Sequence, residues 1–218
     1  MAHAYSEDQL VEQPAITLLA ELGWQTISAL EEVLGPHSTL GRETKAESVL
    51  LLRLRAALCR LNPTLPPEAL STAIDELARD RSAMSLVAAN REVYGLLKEG
   101  IPVSVPDPKG GGQKTERVRV IDWENPAAND FLLVSQFSVT GSLYTRRPDL
   151  VGFVNGLPLV VIELKKPGVP AQQAFDDNLT CYKADIPQLF WFNGLMIASN
   201  GTESHVGGSA ASGPATSP

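Results

Sequence analysis

The residue types best suited to chemistry in this 218-residue chain lie in one stretch, RRPDLVGFVNGLPLVVIELKKP, at positions 146–167. Asp149 precedes two apolar segments, and Glu163 and Lys165 stand at their far end. A buried strand normally excludes such groups, because an unpaired charge in an apolar setting costs on the order of several kcal/mol. Paired carboxylates offer the oxygen ligands that Mg²⁺ and Mn²⁺ prefer, and a lysine beside them can orient an attacking water. This combination is typical of metal-assisted phosphodiester hydrolysis.

A predicted hairpin must position these residues. Side chains alternate between faces along a strand, so Glu163 and Lys165 are expected on the same face. Asn155-Gly156, between two apolar runs, is a strong hairpin signal. The flanking segments are therefore expected to pair antiparallel and bring Asp149 level with Glu163, as strands 149–154 and 157–165. The residues alone leave another interpretation open: a Glu–Lys salt bridge at a strand end, with the aspartate capping a turn.

The first hundred residues are typical of helices. Ser6 is suited to cap the segment SEDQLVEQPAITLLAELGW, in which Pro14 either kinks the helix or marks its start near residue 13. Gly100 is expected to end the last helix of this region. The other helices are expected at AESVLLLRLRAALCRL (46–61), PPEALSTAIDELARD (66–80) and SAMSLVAANREVYGLLKEG (82–100).

From Ile101 onward the pattern changes to strands. They are expected at IPVSV (101–105), RVRVIDW (117–123) and FLLVSQFSV (131–139), with the loop PDPKGGGQKTE (106–116) between the first two. A helix AQQAFDDNLTCYKAD (171–185), a strand pair around LFWFNGLMIAS (189–199) and a disordered low-complexity tail GGSAASGPATSP (207–218) should follow. This order predicts an α/β fold, a mixed β-sheet flanked by helices, with an N-terminal helical subregion.

The glycine-rich GGGQKT at 110–115 is a weak match to a phosphate-binding loop. That motif requires a glycine directly before its lysine and a helix after it. Here Gln113 precedes Lys114, and a strand is expected to follow. The segment is therefore predicted to be a hairpin tip, and no nucleotide-binding site is expected in this chain.

Composition narrows the possible functions. The net charge of −7, from 18 basic and 25 acidic residues, argues against coating nucleic acid by bulk electrostatics, although a local basic groove is compatible with it. The longest apolar run, 157–164, is too short to span a bilayer, and the N-terminus has no secretory signal pattern, so no membrane association is expected. Cys59 and Cys181 are expected to be buried thiols of a reducing, cytoplasmic protein. Three scattered histidines argue against a zinc site.

The stretch 146–167 resembles the core of the N-terminal PD-(D/E)xK nuclease domain of the type I restriction enzyme R subunit. The similarity extends from residue 6 to about 204, through SEDQLVEQPAITLLAELGW, LRAALCRLNPTLPPEALSTAI, VIDWENPAANDFLLVSQFSV and IPQLFWFNGLMIASNGTE. The resemblance implies a restriction-endonuclease-like core. It also implies an endonuclease-like domain over 1–206, with a helical part at 6–100 and a nuclease core at 101–204, followed by the disordered tail 207–218.

The resemblance also assigns site residues. Asp149 and Glu163 match the metal-binding carboxylates and Lys165 the catalytic lysine, while Glu12 matches a glutamate that this fold commonly directs at the metal. Glu12 could instead be an exposed helix charge. The family's Gln-x-x-x-Tyr motif, which supports the site and DNA contact, corresponds to Asn178 and Tyr182, with asparagine one methylene shorter than the usual glutamine. Tyr182 could equally be a core tyrosine.

The function implied by the resemblance is cleavage of DNA phosphodiesters with Mg²⁺, or alternatively Mn²⁺, and without sequence specificity of the chain's own. In the family, recognition belongs to a specificity subunit that acts with a methyltransferase subunit. ATP serves a motor in the full-length enzyme; we expect that motor to be absent here and ATP not to be bound. Two alternatives remain: a catalytically silent DNA- or partner-binding fragment, and a structural protein whose strand charges form salt bridges.

Overall fold

The computed structural model describes residues 8–107 and 110–208. A π-helical turn, Asp8–Glu12, runs directly into helix α1, Gln13–Glu21. The helices that follow in the N-terminal half are α2 (Leu51–Leu61), α3 (Pro67–Ala78) and α4 (Leu86–Glu99). A second long helical segment is built from α5 (Ala171–Gln173), a π-helical turn (Ala174–Leu179) and α6 (Thr180–Asp185), and the short α7 (Pro187–Phe190) comes after it.

Six strands form one mixed sheet, in the order β1 (Gln25–Ser28), β4 (Phe131–Ser135), β7 (Leu150–Val154), β8 (Leu157–Leu164), β9 (Leu195–Ser199) and β10 (Ser204–Gly207). The β1/β4 and β8/β9 pairs are parallel and the other three are antiparallel. Two separate hairpins pair β2 (Ile101–Pro106) with β3 (Gln113–Val118), and β5 (Val139–Thr140) with β6 (Thr145–Arg146). The predicted α/β class with a mixed sheet is confirmed.

The alternation of side chains divides the core between the two faces of the sheet. On one face, Val151, Val161 and other apolar side chains pack with Leu179 of the helical segment 171–185. On the other face, Leu150, Leu164 and their neighbours pack with the N-terminal helical segment through Val11 and Ile16. The sheet therefore lies between two helical layers, and the end of β8 is accessible to residues from both.

The β7–β8 hairpin turns at Asn155-Gly156, as predicted. Both residues have positive φ, 51° and 81°, which is the conformation that favours Asn-Gly in such turns. The Gly156 carbonyl accepts a hydrogen bond from Leu50 N at 2.9 Å. The residue that precedes α2 is therefore bonded to the hairpin turn. This contact explains why α2 begins at Leu51 and not at the predicted residue 46, since Leu50 has a non-helical backbone (φ −87°, ψ 84°).

Several element predictions were wrong. The strand β3 covers Gln113–Val118, so it begins inside the predicted loop and ends before the predicted RVRVIDW strand does. The segment 187–190 is helical, and the strand pair near it is β9–β10. β1 lies within the region expected to be helical and joins the main sheet. Ser6 and residues 209–218 of the predicted tail lie outside the described residues.

The cysteine prediction was also wrong, because both thiols are exposed. Cys59 lies on α2 beside the buried Ala57 and Leu58, so helical geometry turns it to solvent. Cys181 precedes the buried Tyr182 and likewise lies on the outer side of its helix. In the described ranges, no helix is both long and apolar enough to cross a membrane.

Candidate active site

Glu163 is a buried carboxylate near the end of β8, with 2% of its surface exposed. It lies on the sheet face covered by the helical segment 171–185. Its Oε1 accepts hydrogen bonds from the Asn178 side-chain amide and from the Tyr182 hydroxyl, the latter at 3.2 Å. Its Oε2 is buried and accepts no hydrogen bond from any described residue. A buried carboxylate oxygen without a donor is costly, so Oε2 is an atom that could accept a bond from a cation.

The surroundings raise the pKa of Glu163 to about 8. Burial is the largest cause, and the negative charge of Asp149 is the second. Lys165 and the hydrogen bonds from Tyr182 and Asn178 act in the opposite direction without compensating. The protein alone therefore disfavours two ionised carboxylates here, and a nearby divalent cation would favour them.

Asp149 lies just before β7 and is half-buried. Its Oδ2 accepts a hydrogen bond from Leu164 N at 2.8 Å, across the hairpin. Its backbone carbonyl accepts from Gln136 N, also at 2.8 Å. The hairpin thus brings the aspartate to the level of Glu163, and its carboxylate contacts the neighbouring strand, unlike that of a simple turn cap.

Lys165 follows β8, and its backbone N–H continues the ladder by donating to Ser199 O at 2.8 Å. Its Nζ donates to Asn178 Oδ1 at 3.0 Å. The Asn178 amide therefore bonds to Glu163 through its nitrogen and to Lys165 through its oxygen. The shorter asparagine reaches both groups from the π-helical turn 174–179.

Tyr182 combines the two roles that the sequence left open. Its ring belongs to the apolar cluster beneath the sheet, and only 7% of the residue is exposed. Its hydroxyl nevertheless donates to the Glu163 carboxylate. Burial and the charge of Glu163 raise the pKa of Tyr182, so the hydroxyl remains a hydrogen-bond donor at physiological pH.

Glu12 is buried, so the interpretation as an exposed helix charge was wrong. Gln136 Nε2 lies 3.1 Å from each of its carboxylate oxygens. In residues 8–107 and 110–208, no three His, Cys, Asp or Glu side chains are close enough together to hold a metal ion. Glu12 is therefore not gathered with Asp149 and Glu163 into one such cluster, and its metal role stays a prediction.

Gln136 is a residue in contact with the candidate ligand Glu12 that the sequence did not indicate. It follows β4 directly and has a left-handed backbone (φ 59°), which costs a non-glycine residue about 1–3 kcal/mol. The available signal was one long polar side chain within the apolar run FLLVSQFSV.

The glycine-rich segment lies outside this site. Its Lys114 lies in β3 and pairs with Glu116, as expected for a hairpin.

The mixed sheet flanked by helices, with carboxylates and a lysine at one end of a β-hairpin, is consistent with a restriction-endonuclease-like core. The family model described as "Type I restriction enzyme R protein N terminus" matches residues 4–213. The chain belongs to this family.

Curated relatives agree with this assignment. The type I restriction enzyme HindI endonuclease subunit of Haemophilus influenzae is 34% identical over 201 residues, which cover 90% of this chain and 19% of the relative. The MjaIXP endonuclease subunit of Methanocaldococcus jannaschii is 32% identical over 207 residues, 93% of this chain and 19% of the relative. The EcoprrI endonuclease subunit of Escherichia coli is 34% identical over 93 residues, 41% of this chain and 29% of the relative. The chain spans about a fifth of the length of the first two.

Proposed function

We propose that the chain is a metal-dependent DNA endonuclease domain that hydrolyses phosphodiesters without reading sequence itself. The observation that carries the proposal is the buried Glu163 carboxylate, whose Oε2 accepts no hydrogen bond from the described residues. Asp149 adds a second negative charge beside it, and Lys165 directly follows the strand that carries Glu163. Membership of a type I restriction family supports DNA as the substrate.

The residues present fit a divalent cation. Mg²⁺ is commonly bound through one or two protein carboxylates, with water and substrate phosphate completing its coordination. Asp149 and Glu163 provide two such carboxylates, and their mutual repulsion, which contributes to the raised pKa of Glu163, would be relieved by a positive ion. We assign these two residues as ligands of Mg²⁺, with Mn²⁺ as an alternative, and keep Glu12 as a further candidate.

Each protein group then has a definite role. A bound Mg²⁺ supplies Lewis-acid stabilisation of the phosphoryl oxygens and makes water a stronger nucleophile. The Lys165 side chain can stabilise the developing negative charge of the phosphate through its Nζ. Asn178 orients that ammonium through its Oδ1, at 3.0 Å, and orients Glu163 through its Nδ2. Tyr182 fixes the other side of the same carboxylate.

Delivery of DNA is expected to require partners. The net charge of −7 gives the chain little general attraction for a polyanion. The relatives are named as subunits of type I restriction enzymes. We therefore propose that methyltransferase and specificity subunits present the DNA, in the cytoplasm, and that this chain itself binds no ATP.

Nicking of supercoiled plasmid by the purified chain tests the proposal, with Mg²⁺ or Mn²⁺ and with EDTA. Lys165→Ala should lower cleavage by about 100-fold or more, since positioned charge and proton-transfer groups contribute factors of this size. Lys166→Ala is the control, because Lys166 is adjacent and exposed. Equal cleavage by the wild type and Lys165→Ala would contradict the assigned role. Absence of both cleavage and metal binding would favour the silent-fragment alternative.

A further inference from the structure

We propose that Gln136 is a positioning residue that holds the Glu12 carboxylate toward the metal-binding end of the sheet. The inference rests on the proposed nuclease function and extends it to a residue with no assigned role. Its starting point is the backbone: within the described ranges, Gln136 and Asn155 are the non-glycine residues with positive φ. Asn155 occupies a hairpin turn that favours this conformation, whereas Gln136 stands at the end of a strand.

The left-handed conformation changes where the Gln136 side chain can reach. Leu132 and Val134 of β4 face the helical segment 171–185, so an extended residue 136 would face the same way. Glu12 belongs to the N-terminal helical segment, which packs on the opposite face. The turn at Gln136 ends the alternation of β4 and lets its amide meet Glu12, 124 residues away in the chain.

The same residue is tied to the proposed metal ligand Asp149. Gln136 N donates to the Asp149 carbonyl at 2.8 Å, while its side-chain Nε2 lies 3.1 Å from both oxygens of Glu12. One residue therefore links the N-terminal helix to the start of β7. Strain of this kind persists where surrounding contacts over-determine it, and it is concentrated at functional sites.

The amide is also the appropriate chemical group for this task. It orients a carboxylate by hydrogen bonding but carries no charge, so the negative charge of Glu12 stays available to a cation. A lysine or arginine in its place would compete with the metal. Both Glu12 and Gln136 line a cleft of about 490 Å³, which gives solutes access to them.

The test compares Gln136→Gly with the wild type by Mn²⁺ titration of the melting temperature. Glycine accepts positive φ without penalty, which offsets the loss of the hydrogen bonds to Glu12, so the metal-free variant should melt close to the wild-type temperature. Its Mn²⁺ midpoint, taken as the dissociation constant fitted to the rise of the melting temperature with Mn²⁺, should nevertheless increase by about 10-fold, the size seen when groups supporting metal ligands are removed. Gln172→Ala, which breaks the exposed Gln172–Asp176 pair, is the control and should change neither value.

A second comparison, made in protein that already carries Glu12→Gln, tests whether Gln136 acts through Glu12. In Glu12→Gln protein, adding Gln136→Gly should produce no further rise in the Mn²⁺ midpoint. The inference is overturned if the rise persists there, or if Gln136→Gly melts lower and leaves the midpoint unchanged. Wild-type protein whose melting does not respond to Mn²⁺ would instead contradict the proposed function. An unaltered Gln136→Gly midpoint beside a responsive wild type contradicts this inference alone.

Discussion

The candidate site has two sides that are built differently: a strand side on the β7–β8 hairpin, and a helical side on the π-helical turns 8–12 and 174–179. Asp149, Glu163 and Lys165 are placed by the β7–β8 hairpin, whose register and Asn-Gly turn are regular apart from one shift at Gly152/Phe153. Glu12 and Asn178 lie in π-helical turns, and the left-handed Gln136 contacts the first of them. π-Helical turns are rare and occur frequently at functional sites.

Apart from Glu12, a further candidate metal ligand on the helical side, the difference separates the groups proposed to do chemistry from those that orient them. The hairpin is supported by backbone hydrogen bonds on both sides, since β7 pairs with β4 and β8 with β9. The helical side depends on individual side-chain bonds, such as those of Asn178 to Glu163 and Lys165. Changes to the hairpin should therefore affect folding most, and changes to the helical side should affect activity with little loss of stability.

The largest expected effect is on folding, at the hairpin turn. A Cβ at Gly156 would lie 2.6 Å from Leu50 O and 2.7 Å from Leu54 N, at a φ of +81°. Gly156→Ala should therefore lower the free energy of unfolding by about 4 kcal/mol, from backbone strain and steric overlap together. Gly35→Ala is the control, because φ is +85° there and no atom lies within 4 Å. Urea unfolding should show the Gly35 variant losing only about 1 kcal/mol; equal losses would mean that the turn contact is unimportant.

The next effect concerns the pH dependence of stability without metal. With a pKa of about 8 in the folded protein against 4.5 as the ordinary value, Glu163 retains a proton that the unfolded chain releases. The free energy of unfolding should thus fall as pH rises from about 4.5 to 8. Glu163→Gln removes this loss and should be more stable than the wild type by about 4 kcal/mol at pH 8 in EDTA, but similar at pH 4.

Added Mg²⁺ should reduce the difference by stabilising the wild type alone. The exposed Glu31→Gln should retain the wild-type pH profile. A Glu163→Gln protein that is less stable than the wild type at pH 8 would indicate that the carboxylate is satisfied within the fold and needs no cation.

The smallest effect is expected on the helical side. Tyr182→Phe removes the hydroxyl that donates to Glu163 at 3.2 Å. One hydrogen bond is worth about 1 kcal/mol, so plasmid cleavage should fall about fivefold while stability changes little. Tyr94→Phe, at an exposed tyrosine of α4, should cleave like the wild type. A loss of several kcal/mol in stability for the Tyr182 variant would show that Tyr182 contributes mainly to the stability of the fold and only secondarily to the site.

The same difference explains what could be predicted from sequence. Residue alternation and the Asn-Gly turn are local signals, and they were enough to bring Asp149 to the level of Glu163. The contact of Gln136 with Glu12 depends on a left-handed backbone at position 136. Glutamine does not favour that conformation, so the sequence pattern could not indicate the contact. The start of α2 was missed because it is set by the distant Gly156 carbonyl. The exposure of Cys59 depends on which side of α2 faces the core.

Isothermal titration calorimetry with Mn²⁺ at pH 8 tests the metal assignment most directly, with the wild type beside Glu163→Gln and Asp149→Ala. We expect the wild type to bind Mn²⁺ and both variants to lose that binding, because each loses one of the two proposed ligands. Glu163→Gln is expected to be the more stable fold, so its loss of binding could not be ascribed to unfolding. Wild-type protein that binds no Mn²⁺, or variants that bind it as tightly as the wild type, would contradict the assignment of Asp149 and Glu163 as metal ligands.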